Sequence, residues 1–231
     1  GVTLTEEDRS ALESQRLEYV EYFGGEEAYQ QQLEAQGITE EGYDRIRETG
    51  FLYQRLQEAF CTEGGALYPD GAALAQYVAD NGYLTGRVIF VEAGDGAEEE
   101  ANGYLKRMQE AVDKAAEHDA ICQERNVDQY GSMTFTFMEG DALCEAAAAL
   151  GVGELSGVVA MDEGYYIFLR EETDLSAVLP TYFDAVLKER RSAANVVYNE
   201  KLYSAIDTGT FYQKLVELRS QLSQTVQQAQ Q

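Results

Sequence analysis

The hydrophobic period of this chain changes twice along its length, and those two changes limit the fold more than any other feature. Up to about residue 80 the apolar residues recur at helical spacing. They then close into one continuous β-branched and aromatic run, Val88-Ile89-Phe90-Val91, which reads as a buried strand over 83–92. From Leu175 onward the helical spacing returns. The pattern predicts an α+β fold in which a small sheet-bearing insert interrupts a helical body. Short helices gain most of their stability by burying their apolar faces, so the two helical ends are expected to dock on each other.

Within the first stretch three helices are predicted. Thr5 can cap the amide of Asp8 at the start of the first, and Gly24-Gly25 stops it. The second runs from about Glu26 to Gln36, with Gly37 as its left-handed stop. Thr39 caps the third, in which Tyr43, Ile46, Tyr53, Leu56 and Phe60 keep helical spacing. A further helix is expected over 72–80, followed by the strand over 83–92. Next comes a helix with Tyr104, Leu105, Met108 and Val112 inward, and then a loop holding His118. A strand over 132–138 and an Ala-rich helix over 141–150 lead to two strands, 155–161 and 165–170, joined by the turn Asp162-Glu163-Gly164. The last part reads as a long helix from Leu175 to about Ile206, with Pro180 tolerable only near a first turn. A final helix places Phe211, Leu215, Leu218 and Leu222 on one side.

Charge narrows the function classes. The 231 residues include 42 acidic and 17 basic ones, a formal net charge of −25. Such a chain repels phosphate backbones and has no basic cluster to release counterions, which excludes nucleic acid as a partner. It also opposes anionic lipid and favours cationic or near-neutral polypeptides. No run of about 18 apolar residues offers a transmembrane segment. The chain opens at Gly1-Val2-Thr3-Leu4 directly on a helix start, as expected where a targeting segment has been removed. Cys61, Cys122 and Cys144 lack CxxC spacing, so they read as buried thiols, with a Cys122–Cys144 bridge left open. Neither a metal site nor a cofactor is expected. Asp207-Thr208-Gly209 matches an aspartic-protease tripeptide but reads as turn and capping chemistry between helices. The acidic cluster Glu92, Asp95, Glu98, Glu99 and Glu100 lacks the spacing of a calcium loop and reads as a solvated helix start.

The stretch Leu150-Gly-Val-Gly-Glu-Leu-Ser-Gly-Val-Val-Ala-Met-Asp-Glu-Gly-Tyr-Tyr-Ile-Phe-Leu is similar to the closing pattern of parvulin domains. That pattern has a leucine, a Gly-Glu-x-Ser turn, a strand, a Gly-Tyr hairpin and a last strand. Thr85-Gly-Arg-Val-Ile-Phe-Val resembles the first parvulin strand, and Met138-Glu-Gly-Asp-Ala-Leu-Cys-Glu the short helix. Phe23-Gly-Gly-Glu-Glu-Ala-Tyr and Gly37-Ile-Thr-Glu-Glu-Gly-Tyr resemble the helical chaperone region of PrsA/SurA-type foldases. The resemblance implies a βαβαββ parvulin-like domain over 83–171, inserted between helical parts 1–82 and 172–231. It also implies work outside the cytoplasm, as an exported or lipid-anchored protein, on unfolded or nascent polypeptides, and it leaves a homodimer open.

Parvulins catalyse cis/trans isomerisation of X-Pro bonds, which needs neither nucleophile nor metal. A site must hold the proline in an apolar pocket and favour the twisted amide through desolvation and directed hydrogen bonds. Family members carry histidines on the first and last strands. By the resemblance, those positions hold Arg87 and Tyr166 here, the candidate catalytic pair, while Phe135, Phe137, Met138 and Leu143 are the candidate substrate pocket. The sole histidine, His118, is expected to be solvated or capping. Three functions fit: a folding factor with weak or absent isomerase activity, an active isomerase with a non-histidine site, and a noncatalytic module for one dedicated partner.

Overall fold

The computed structural model describes residues 1–127 and 131–229. It is a mixed α+β structure with one four-stranded antiparallel sheet. Two compact units divide the chain: residues 1–67 with 188–231, and residues 68–187. The second therefore interrupts the first, but with wider bounds than the 83–171 expected.

In the first unit, α1 (Glu6–Phe23), α2 (Glu26–Gln36) and α3 (Glu40–Cys61) pack on one another. The caps are those the sequence predicts. Thr5 Oγ1 accepts from the Asp8 amide, Thr39 Oγ1 accepts from the Gly42 amide, and Gly37 ends α2 at φ 77°. Asp8 also ties α1 to α3. Its buried carboxylate accepts from Arg55 Nη2 at 2.8 Å and from Nε at 3.1 Å, and from the Thr5 amide at 2.8 Å.

The ends dock as expected. Helix α10 (Thr208–Ala229) lies against α2, where Arg219 Nε donates to the Ala35 carbonyl at 2.8 Å. The Phe211 ring crosses Gly37 so closely that a Cβ there would lie 2.8 Å from Cζ. The long helix to Ile206 is instead broken. Helix α8 (Leu175–Ala193) ends before an irregular stretch, α9 (Glu200–Ser204) follows, and Asp207 begins α10 by accepting from the Thr210 amide and hydroxyl. Pro180 falls in the second turn of α8, deeper than expected.

The second unit runs α4 (Gly71–Asp80), β1 (Tyr83–Glu92), α5 (Ala97–Glu110), α6 (Lys114–Glu124), β2 (Met133–Thr136), α7 (Ala142–Ala148), β3 (Val159–Met161) and β4 (Gly164–Glu171), with the first part of α8. Helix α4 belongs here because Tyr77 packs on Tyr83 and on Tyr182 of α8, at ring centroid distances of 5.9 and 4.7 Å. The strand order is β2-β1-β4-β3, all antiparallel, with Ile89 opposite Ile167 and Phe90 opposite Tyr166. One face of the β1–β4 pair buries Ile89, Val91, Ile167 and Leu169 under α5 and α6. The other buries Leu84 and Phe168 against Ala147 of α7.

Two local expectations change. Val112 lies beyond the end of α5 and is fully exposed, and the segment expected as a loop around His118 is helix α6, capped by Asp113. All three cysteines are free thiols. The Gly-Glu-x-Ser turn is structural: Ser156 Oγ accepts from the Phe168 amide at 2.8 Å, and Glu154 Oε2 from the Gly151 amide at 2.7 Å.

Two predictions follow from this packing. A Cβ on Gly86 would stand 2.2 Å from the Leu169 carbonyl and 2.3 Å from the Phe168 ring. Gly86→Ala is therefore expected to lower unfolding free energy by about 3 kcal/mol in urea titration. Arg55 and then Thr5 hold the Asp8 carboxyl well below its ordinary 3.8. The stabilisation is complete above that ordinary value and disappears as pH falls through the folded-state one. Asp8→Asn should lower the urea midpoint at pH 7, and the gap from the wild type should close progressively on acidification below pH 3.8.

Candidate functional site

A groove of about 930 Å³ opens beside β1 in the second unit. Among the described residues β2 pairs only with residues 83–86 of β1, and the groove lies along the β1 edge beyond Gly86. Val88, Phe90, Met133, Leu143 and Tyr166 supply its apolar wall, Cys122 and Val127 also line it, and Glu92 and Arg125 are its charged residues. The Phe90 and Tyr166 rings lie 4.8 Å apart with planes 33° inclined, forming a continuous aromatic surface. The Tyr166 hydroxyl donates to Glu163 Oε1 at 2.9 Å. Burial and then Glu163 push its pKa up, so it is a neutral phenol at physiological pH.

Two carbonyls on the open edge of β1 accept from side chains. His118 Nε2 donates to the Val88 carbonyl at 3.1 Å, and Arg125 Nη1 donates to the Phe90 carbonyl at 2.6 Å. His118 is 1% exposed, on α6 and behind Cys122, and its Nδ1 lies 3.1 Å from Asp119 Oδ1. Where the sequence leads to a solvated or capping histidine in a loop, α6 instead carries the ring into the core. Burial, followed by the charge of Asp119, raises the Cys122 pKa, leaving a protonated thiol of low nucleophilicity.

The structure does not bring Arg87 and Tyr166 together. Side chains alternate along a strand, so Arg87, opposite Leu169, points to the α5–α6 face, whereas Tyr166, opposite Phe90, points to the groove. Val88 and Phe90 are the β1 residues beside Tyr166. Arg87 Nη1 donates to Asp119 Oδ1 at 2.6 Å and its Nε to Glu171 Oε1 at 2.8 Å, while Glu171 also receives the Ser132 hydroxyl. Burial opposes the guanidinium charge, but Glu171 and Asp119 more than offset it and raise its pKa. Arg87 therefore links α6, β1 and β4.

Of the expected pocket, Leu143 lines the groove. Phe135 is packed edge-on against Phe168 in the core at 5.6 Å, Phe137 lies beside Gly82 and Leu84 at a different depression, and Met138 is exposed. Val88 and Phe90 read in the sequence only as part of a buried strand, and Met133 carries no site signal there. Among the described residues no cluster of His, Cys, Asp or Glu is placed to hold a metal ion, and no helix is long and apolar enough to cross a membrane.

No protein-family model matches the chain, nor does any curated protein sequence. It is similar to solved structures of PrsA and SurA-like foldases over most of its length. The foldase PrsA of Streptococcus pneumoniae matches at 19% identity, covering 87% of this chain and 81% of that one, with a TM-score of 0.30. PrsA of Bacillus subtilis matches at 16% identity, covering 90% and 83%, with a TM-score of 0.37. A SurA-like chaperone of Campylobacter jejuni matches at 16%, covering 85% and 88%, with a TM-score of 0.24.

The placement of Arg87 makes a test of its role. Arg87→Met should destabilise the protein by about 2 kcal/mol, through lost charge-assisted hydrogen bonds, while leaving the affinity of peptides for the groove unchanged. Urea titration and peptide titration on the same variant measure the two effects.

Proposed function

We propose that this chain is an extracytoplasmic folding factor that holds unfolded or proline-containing polypeptide in the β1 groove, with isomerase activity weak or absent. The observation that carries this reading is the composition of the groove: an apolar, aromatic wall with no imidazole facing it. The sole histidine is buried behind Cys122 with both ring nitrogens engaged. A proline ring gains from the Phe90–Tyr166 surface by burial alone. Isomerisation asks for more, because a barrier of about 18–20 kcal/mol must fall through contacts made only with the twisted amide. The Tyr166 hydroxyl makes one such contact only by releasing Glu163 Oε1. One neutral hydrogen bond contributes on the order of 1 kcal/mol, about fivefold in rate. The location outside the cytoplasm, whether by export or by a lipid anchor, comes from the resemblance of the sequence to PrsA/SurA-type foldases.

Exchange NMR on a panel of X-Pro peptides tests the reading. Peptide resonances should broaden on adding protein, while the cis/trans rate stays within about fivefold of the free peptide. Phe90→Ala should weaken binding by about tenfold, the loss of one aromatic contact. Acceleration of a hundredfold that Tyr166→Phe abolishes would instead make this an active isomerase with a non-histidine site. Absence of broadening across the panel would overturn the groove as a general polypeptide site and leave a module for one dedicated partner.

A further inference from the structure

Past Phe90 the groove ends in carboxylates. Side chains alternate along β1, so Glu92 stands on the same face as Val88 and Phe90 and lines the groove with them. It is exposed and has no hydrogen bond or ion pair among the described residues. The end of the β1–β4 ladder brings Glu163 to the same place, since Glu92 lies opposite Gly164 and the Glu163 carbonyl accepts from the Ala93 amide at 2.9 Å. Glu163 Oε1 takes the Tyr166 hydroxyl, and a carboxylate accepts at both oxygens, so Glu163 keeps capacity for a second donor. A third carboxylate, Asp141 at the start of α7, reaches the same phenol. After burial and Glu163, its charge adds to the rise in the Tyr166 pKa.

Arg125, the basic residue of the groove lining, does not neutralise this end. Its Nη1 donates to the Phe90 carbonyl, its Nε lies 3.7 Å from Glu100, and its guanidinium stands 5.4 Å from the centre of the Tyr104 ring. Its charge is met by Glu100, and among the described residues no ion pair joins it to Glu92 or Glu163.

Aromatic faces bordered by carboxylates suit one kind of side chain. The ring quadrupole and the carboxylates both attract an ammonium or guanidinium. A neutral side chain gains from the rings alone, and an acidic one is repelled. We propose that Glu92 and Glu163, with the Phe90 and Tyr166 rings, form a subsite for a lysine or arginine side chain of the bound polypeptide, next to the segment held on the apolar wall. The proposal rests on the groove being the polypeptide site and adds what that site selects. The net charge of −25 draws cationic polypeptides whatever their sequence, whereas the subsite favours a basic residue at one place in the bound segment.

Fluorescence anisotropy titrations of the whole chain with labelled peptides test it. The peptides share an apolar segment around a single proline and differ in one feature: lysine beside the proline, norleucine there, glutamate there, or the lysine moved to the far end. Lysine beside the proline should bind about fivefold tighter than norleucine, glutamate weaker than norleucine, and the displaced lysine close to norleucine. In Glu92→Gln with Glu163→Gln, the adjacent-lysine and norleucine peptides should come to the same affinity. Glu98→Gln with Glu99→Gln, an equal change of charge on α5, should keep the fivefold ratio. Equal binding of the two lysine peptides, or a lysine preference that survives Glu92→Gln with Glu163→Gln, overturns the subsite and leaves the groove as the polypeptide site. Failure of every peptide to bind overturns the groove and the subsite together.

Discussion

The pairing of β1 with β4 is the constraint on which the second unit depends. Residues 85–92 lie opposite 171–164 without interruption. The close approach of Phe168 and the Leu169 carbonyl to Gly86 holds this register, since no larger residue fits there. A slip by one residue would exchange the two faces of the pair, burying Arg87 among the α7 contacts and turning Ile89 toward the groove. One register therefore decides both which residues make the core and which make the site.

The faces divide the chemistry. Toward α5 and α6, the chain His118–Asp119–Arg87–Glu171 joins helix to sheet, with each charge met by an opposite one. Toward α7, the surface is apolar as far as the aromatic pair at the groove. His118 connects the two only through the backbone, by occupying the Val88 carbonyl on the edge that β2 leaves open. The same contact that protects this edge from pairing with another strand also keeps the imidazole away from anything bound in the groove. On the function proposed above, that arrangement suits holding a chain rather than turning its prolyl bonds.

Much of the fold was legible in local signals with a single physical meaning. The Thr5 and Thr39 caps, the Gly37 stop and the Asp162-Glu163-Gly164 turn each stand where the residues place them, because a cap or a turn is decided by a few neighbouring atoms. Helix α6 was missed although Asp113 before Lys114-Ala115-Ala116 carried a capping signal, because its apolar residues follow no clear helical stripe. The placing of Arg87 and Tyr166 on opposite faces was illegible for a different reason. Val88-Ile89-Phe90-Val91 is apolar at every position, as in a strand covered on both sides, so alternation could not tell which of Arg87 and Val88 faced Tyr166. Only the register to β4 decides that. Phe135, Phe137 and Met138 show the same limit, since an aromatic strand reads alike whether it lines a groove or fills a core.

Amide chemical-shift mapping of the labelled protein during titration with a proline-containing peptide bears most directly on the central claim, that bound polypeptide lies on the Val88–Phe90–Tyr166 face. The largest shifts are expected at Val88, Phe90, Met133, Leu143 and Tyr166, with Asp119 and Glu171 on the opposite face little changed. Shifts centred on Arg87, Asp119 and Glu171, with the groove residues silent, would contradict it.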